Sequence, residues 1–347
     1  MPPRAGFLIA HGDSNPKTNA RSQCLAMATR DQILELKRRI GAEIIGQEAA
    51  IDQLLIALLA NGHILMEGLP GLAKTRTIKT LAANLESVFR RIQFTPDLLP
   101  SDITGTEIYT GEGAGGKFVF QQGPIFGNLI LADEINRAPA KAQAALLEAM
   151  EERQVTVAGK TYKLPDLFLV MATQNPIEQE GTYPLPEAQT DRFLLHVFVS
   201  YSSDSDEEKI LKLVRDEDAG ERQTDNTKIP EQAVTDGRKE VLAVQVSETV
   251  EKYIVSLIAA TRRPGDYGGD LAKWIRYGAS PRGTLALDRS ARATAWLAGR
   301  DTATPDDVKA SVHGCLRHRL ILSYEAEASG VTKDVALDEI LKLVAVP

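Results

Sequence analysis

The stretch Gly68-Leu-Pro-Gly-Leu-Ala-Lys-Thr75 constrains this chain more than any other. It lies between a short apolar run, residues 63–66, and a segment with helical spacing that starts near Lys74. A strand, a glycine-bearing turn and a helix in that order form the first unit of an α/β parallel sheet. In the general pattern G-x-x-x-x-G-K-[ST], backbone N–H groups of the turn wrap phosphate oxygens. The N-terminus of the following helix adds partial positive charge. Gly68, Gly71, Lys74 and Thr75 fit, whereas Ala73 replaces the second required glycine. That position opens the helix, where φ is negative and a methyl group is tolerated. Leu69, Pro70, Leu72 and Arg76 complete the candidate phosphate-binding segment.

Two acids end a second apolar run, in Asn128-Leu-Ile-Leu-Ala-Asp133-Glu134. At the carboxyl end of a parallel strand they face the crevice where ligands bind in such sheets. Asp133, with the Thr75 hydroxyl, is expected to hold Mg²⁺, and Glu134 to orient and polarise an attacking water. An isolated acidic pair of this kind reads first as a helix cap. A phosphate loop upstream favours the catalytic reading. A third run, 166–172, leads into Met171-Ala-Thr-Gln-Asn175-Pro, where Asn175 could hydrogen-bond the γ-phosphate or the water. Arg192 precedes a fourth run, 193–199. It reads as surface charge or, in a ring, as a contact to a neighbouring subunit's γ-phosphate. Arg282, in Ser280-Pro-Arg-Gly, could clamp phosphates bidentately and couple nucleotide state to domain angle.

A chain of 347 residues suits two domains rather than one core. Residues 1–28, rich in Pro, Gly, Asn and Ser, read as a poorly ordered extension. An α/β domain is expected over 29–200 and a helical domain over 205–347, with Pro264, Pro281 and Pro305 as breaks. Helices are expected from Asp31, over 47–59 and over 141–152. Two hairpins interrupt the pattern. One pairs 107–110 with 117–120 across four glycines; the other runs from Val155 and Val157 to Tyr162 and Leu164.

The longest apolar run, 54–60, is far too short to span a bilayer, and the patch 7–10 is too short for a signal peptide. Cys24 and Cys315 suggest neither a disulfide framework nor a zinc site, so a reducing cytoplasm is the expected setting. A net charge of −7 gives no global basic footprint for nucleic acid. Lys160 and Lys163 on the second hairpin leave a local phosphate contact open.

Taken together, these residues resemble an AAA+ ATPase: a P-loop core with a central parallel sheet flanked by helices, plus a C-terminal helical lid. Lys74 and Thr75 match the Walker A positions, Asp133 and Glu134 Walker B, Asn175 sensor 1, Arg192 the arginine finger and Arg282 sensor 2. Ile45-Gly46-Gln47 matches the motif that borders adenine in this superfamily. Within it, the chain resembles the MoxR family. The strings carrying the likeness are the loop itself, Arg91-Ile-Gln-Phe-Thr-Pro-Asp-Leu-Leu-Pro-Ser-Asp102, Asp133-Glu-Ile-Asn-Arg-Ala-Pro139 and Thr173-Gln-Asn-Pro176. Ala73 is then what the family pattern has. The resemblance implies that the hairpins are the helix-2 insert and pre-sensor-1 hairpin lining a hexamer's pore. It further implies an ATP-driven remodelling chaperone for assembly, activation or metal-cofactor insertion, partnered by a von Willebrand factor A domain protein. A chelatase-type ATPase subunit, a nucleic-acid motor and a slow nucleotide-gated scaffold remain alternatives.

Overall fold

The computed structural model describes residues 27–69, 71–72, 74–111, 116–175, 181–220 and 227–347. Most of the expected extension, two loop positions (Pro70 and Ala73) and the tip of the first hairpin therefore lie outside the described residues.

Helices α1 (Thr29–Gly41) and α2 (Glu48–Leu59) lead into β1 (Ile64–Gly68), from which α3 (Lys74–Asn84) follows. The α/β part continues through β2 (Phe89–Gln93), the hairpin β3 (Gly105–Thr110) and β4 (Lys117–Gln122), and β5 (Leu129–Asp133). Helix α4 (Ala140–Glu152), the hairpin β6 (Gln154–Val157) and β7 (Lys160–Lys163), β8 (Leu169–Gln174) and β9 (Leu195–Val199) complete it. The central sheet has the order β2-β5-β8-β1-β9, and every neighbouring pair in it is parallel. Because side chains alternate across a strand, Met66, Leu131 and Met171 face one core, while Leu65, Ile130 and Val170 face the other. Both faces are covered, which is why these strands read as continuous apolar runs.

Strand β2 had no such signature. Only Ile92 of Phe-Arg-Arg-Ile-Gln is buried, because β2 is the sheet's edge. A partly polar edge strand is also poor at recruiting another chain.

Beyond β9 come α5 (Asp204–Asp218), α6 (Glu231–Ala243), α7 (Glu248–Arg262), α8 (Pro281–Leu297), α9 (Pro305–Leu316) and α10 (Lys333–Leu343). Side-chain caps set several starts: Ser203, Ser247, Ser280 and Thr332 each accept a backbone N–H from the first turn. Helix α6 packs against α1 and α2, so the polar stretch after 200 returns to the α/β part before the helical part begins. One continuous core joins Leu36 of α1 and Met171 of β8 to Leu257, Leu287 and Val312 of the helical part. Among the described residues, no helix is long and apolar enough to cross a membrane.

Besides this shared core, one short turn, Arg317–Arg319, braces the helical part against the sheet. Arg317 donates to the His196 carbonyl at 3.1 Å, and His318 donates to the Phe193 carbonyl at 3.0 Å. Arg319 bonds the Asp191 carboxylate at 2.8 Å and the carbonyls of Asp191, Phe193, Leu194 and Cys315. With its side chain 3% exposed, this arginine is an internal brace.

Candidate active site

Strand register puts the ends of the sheet to different uses. At the carboxyl edge, Gln93 lies beside Asp133 and Glu67 beside Gln174, while Gly68 pairs with Val199. Gly68 must be glycine, since a Cβ there would stand 2.6 Å from the Val199 carbonyl oxygen. Gly71, at φ +83°, needs the left-handed conformation that glycine adopts freely. Lys74 opens α3, and its ammonium donates to the Gly68 carbonyl and, at 3.2 Å, to the Gln174 carbonyl. The lysine thus folds back across the turn onto the ends of β1 and β8. Gly71, Leu72, Lys74, Thr75 and Arg76 border a cleft of about 620 Å³, at a helix N-terminus with N–H groups left for an anion.

The two acids are held by one residue the sequence reading gave no role. Thr173 Oγ1 accepts the Glu134 N–H at 2.9 Å and donates to Asp133 Oδ1 at 2.7 Å. The other Asp133 oxygen bonds Arg91 at 2.7 Å. Glu134 sits at φ 56°, ψ 51°, a left-handed conformation uncommon for a non-glycine residue. This backbone turns the second carboxylate off the strand line, where Oε2 accepts from Gln93 at 2.9 Å and pairs with Arg137 at 3.1 Å. Asn175 follows Gln174 directly and is buried. Lys74, Asp133, Glu134 and Asn175 are therefore gathered on one edge of the sheet, as the sequence pattern requires.

The Thr75 hydroxyl and the Asp133 carboxylate are hard oxygen donors, the type Mg²⁺ takes in ones or twos beside phosphate oxygens and water. Among the described residues no cluster of three His, Cys, Asp or Glu forms a cage. The donor set fits a metal ion shared with a phosphate better than one enclosed by protein.

A second cleft, about 700 Å³, opens on the other side of Gly71 and Leu72. Ile45 and Gln47 line it, and Gln47 donates to the Ser200 carbonyl at 3.0 Å. Gly46 approaches Ser202 and Asp206 so closely that a Cβ would lie 3.0–3.1 Å from them. The opposite wall is α5, with Ile210, Leu211 and Val214, and Tyr201 just before it. An apolar slot beside a phosphate loop suits a purine base. These α5 residues escaped the sequence reading, although apolar side chains at i, i+1 and i+4 on an otherwise charged helix, one face of its turn, were the available signal. Arg76 and Glu217 form an ion pair that ties α3 to the end of α5.

Arg192 and Arg282 are not part of this edge. Both line a cleft of about 330 Å³ at the amino ends of β1 and β9, with Asn61, Glu151, Arg153, Arg289 and Arg319. The length of β1, at ~3.3 Å per residue, separates the two edges by about 13 Å before loops are counted. Arg282 pairs with Glu151 at 2.7 Å and lies 3.7 Å from Asp191. The reason is local: Ser280, which caps α8, also donates to Asp191 at 2.8 Å, anchoring the start of α8 beside Arg192. The expectation that Arg282 clamps phosphates is therefore corrected as far as its own subunit's loop is concerned. Nearby, burial and then Arg153 push His63 down to about 3. The neutral ring accepts from the Val170 N–H and donates to the Met150 carbonyl, a structural use.

The two hairpins touch each other. Phe120 stacks on Tyr162 with centroids 4.2 Å apart, and Lys160 lies 3.8 Å from Glu107. Tyr109 and Phe118 pair edge to face on the exposed surface of the first hairpin.

Residues 63–195 match the family described as ATPase family associated with various cellular activities (AAA), and residues 272–340 match the AAA lid domain. The chain is 43% identical over 321 residues to Chaperone MoxR1 of Mycobacterium tuberculosis, covering 91% of this chain and 81% of that one. It is 31% identical to Protein MoxR of Methylorubrum extorquens, covering 88% and 93%. A crystal structure of a putative ATPase from Cytophaga hutchinsonii superposes with a TM-score of 0.83 at 44% identity, covering 95% of this chain and 98% of that one.

Proposed function

The chain belongs to the MoxR family of AAA+ ATPases, and from that premise we infer that it binds Mg-ATP at the carboxyl edge of its sheet and hydrolyses it. One observation carries this reading: Thr173 ties the two acids together opposite the strand end on which Lys74 rests. Lys74 and the N-terminal N–H groups of α3 hold the β- and γ-phosphates. Thr75 and Asp133 hold Mg²⁺, which neutralises phosphate charge when bound. Glu134 accepts a hydrogen bond from the attacking water and aims it at the γ-phosphorus, while Asn175 fixes the water or the γ-oxygen. Ile45, Gln47, Tyr201 and Leu211 enclose the base.

Among the described residues, the arginines near this edge are already engaged: Arg91 with Asp133, Arg137 with Glu134 and Arg76 with Glu217. Arg192 and Arg282 line the cleft at the other end, which favours a ring in which each subunit completes its neighbour's site. A hexamer of this kind would remodel client proteins, with the coupled hairpins at its pore and a von Willebrand factor A domain protein as partner. The Mycobacterium tuberculosis relative is named a chaperone, which supports remodelling over the chelatase and nucleic-acid alternatives.

The test is Glu134→Gln. This variant should retain ATP with near-normal affinity while turnover falls about 10²–10⁴-fold, the range for loss of a positioned acid–base group. Turnover within a few-fold of the parent would remove Glu134 from its assigned role.

A further inference from the structure

The arginine edge holds one residue that the reading above leaves unused. Arg289 lies seven residues after Arg282 on α8, two turns along the same face. It is exposed and lines the same cleft as Arg192 and Arg282. Among the described residues its side chain forms no hydrogen bond or ion pair, and the same holds for the side chain of Arg192. The Arg192 Nε is buried with no acceptor. By contrast, Arg153 is committed to the Phe168 and Asn61 carbonyls, and Arg319 to Asp191 and backbone.

A solvated surface arginine is the ordinary reading of such a residue. Convergence argues against it here. Arg289 acts on Arg153 strongly enough to help hold that guanidinium below its usual range, second only to burial. Like charges gathered around a concavity repel unless an anion enters. The cleft's own carboxylate, Glu151, already pairs with Arg282. A buried donor without a partner is costly, so the Arg192 Nε calls for an acceptor from outside the subunit.

We propose that Arg289 is a third guanidinium on the neighbouring subunit's triphosphate, acting beside Arg192 and Arg282. The proposal rests on the reading that Arg192 works in trans. Three arginine heads suit a polyphosphate, whose several charged oxygens each take forked N–H donors, better than a single carboxylate. Arg289 therefore favours a triphosphate-loaded neighbour, and contact should weaken when the γ-phosphate leaves.

Trans-complementation in the full chain tests this. Arg289→Ala should lower kcat about 10- to 100-fold, less than the 10³–10⁵ associated with an arginine finger, with subunit nucleotide affinity unchanged. Arg289→Lys should recover part of the loss. Mixing Arg289→Ala with Lys74→Ala should restore turnover above either variant alone. In such a mixture an intact loop meets an intact arginine edge. Arg192→Ala mixed with Lys74→Ala is the parallel arm. Recovery in both supports the proposal. Recovery only with Arg192→Ala overturns it while leaving the trans reading intact, and recovery in neither defeats the trans reading and the proposal with it. Near-parental turnover of Arg289→Ala also overturns it. If that variant does not fold, Arg289→Gln takes its place in the same mixtures.

Discussion

The two edges of the sheet differ in how their polar groups are satisfied. At the carboxyl edge, Lys74 rests on two carbonyls, Asp133 is bonded by Thr173 and Arg91, and Glu134 by Gln93 and Arg137. At the amino edge, the side chains of Arg192 and Arg289 have no partner among the described residues. One edge is a closed network, poised to exchange internal contacts for a ligand; the other keeps two arginine side chains open beside the engaged Arg282, Arg153 and Arg319. An edge that satisfies itself can bind within one subunit. An edge that does not is open to something outside it, and in the proposed ring the two together would make one site divided between subunits.

The sharpest way to break that comparison is Arg192→Ala. Turnover of the assembly should fall about 10³–10⁵-fold, as for loss of an arginine acting in trans. Affinity of each subunit for ATP should stay within about twofold, because the loop lies at the far end of β1. Direct nucleotide titration beside steady-state turnover separates the two quantities. If affinity collapses along with turnover, the edges are not independent and the division proposed here is wrong.

A smaller effect comes from the joint that sets the open edge in place. Asp191 accepts from Arg319 at 2.8 Å and Ser280 at 2.8 Å, and lies 3.7 Å from Arg282. Asp191→Asn keeps the shape but leaves the Arg319 guanidinium buried without its counter-charge. Breaking a buried pair in this way removes about 3 kcal/mol, lowering the melting midpoint by roughly 5 °C for a chain of this size. Calorimetry checks it. Unchanged stability would mean that the four carbonyls around Arg319 hold the turn without Asp191.

The same contrast explains what could be read in the sequence. The carboxyl edge was legible because each part is local: a loop between strand and helix, acids ending an apolar run, an amide ending the next. Thr173 sits within a motif already singled out, yet its bridge between Asp133 and Glu134 depends on strand order, which no single stretch specifies. Arg91 and Gln93, which open another of the quoted strings, were given no role for a related reason, since β2 is an edge strand with little apolar pattern. The amino edge was legible only as separate arginines. Arg192 and Arg282 are 90 positions apart, and they meet because Arg319 and Ser280 fasten the helical part to Asp191. The α5 wall of the second cleft was not singled out, because none of its apolar residues is buried and core-seeking patterns pass over them.

The finest test stays within the closed edge and asks whether its self-satisfaction restrains chemistry. Gln93 Nε2 donates to Glu134 Oε2 at 2.9 Å, on the same oxygen that faces Arg137. An oxygen already taking two donors is a weaker acceptor for a water proton. A net hydrogen bond of about 1 kcal/mol corresponds to roughly a fivefold rate change. Gln93→Ala should therefore raise basal turnover about fivefold at saturating ATP. The increase should appear equally in mixtures with Arg192→Ala subunits, scaled to whatever turnover they retain, because the restraint acts within one subunit. A fall in turnover would mean that the amide holds Glu134 in its working orientation, and that the closed network is part of the catalyst rather than a brake on it.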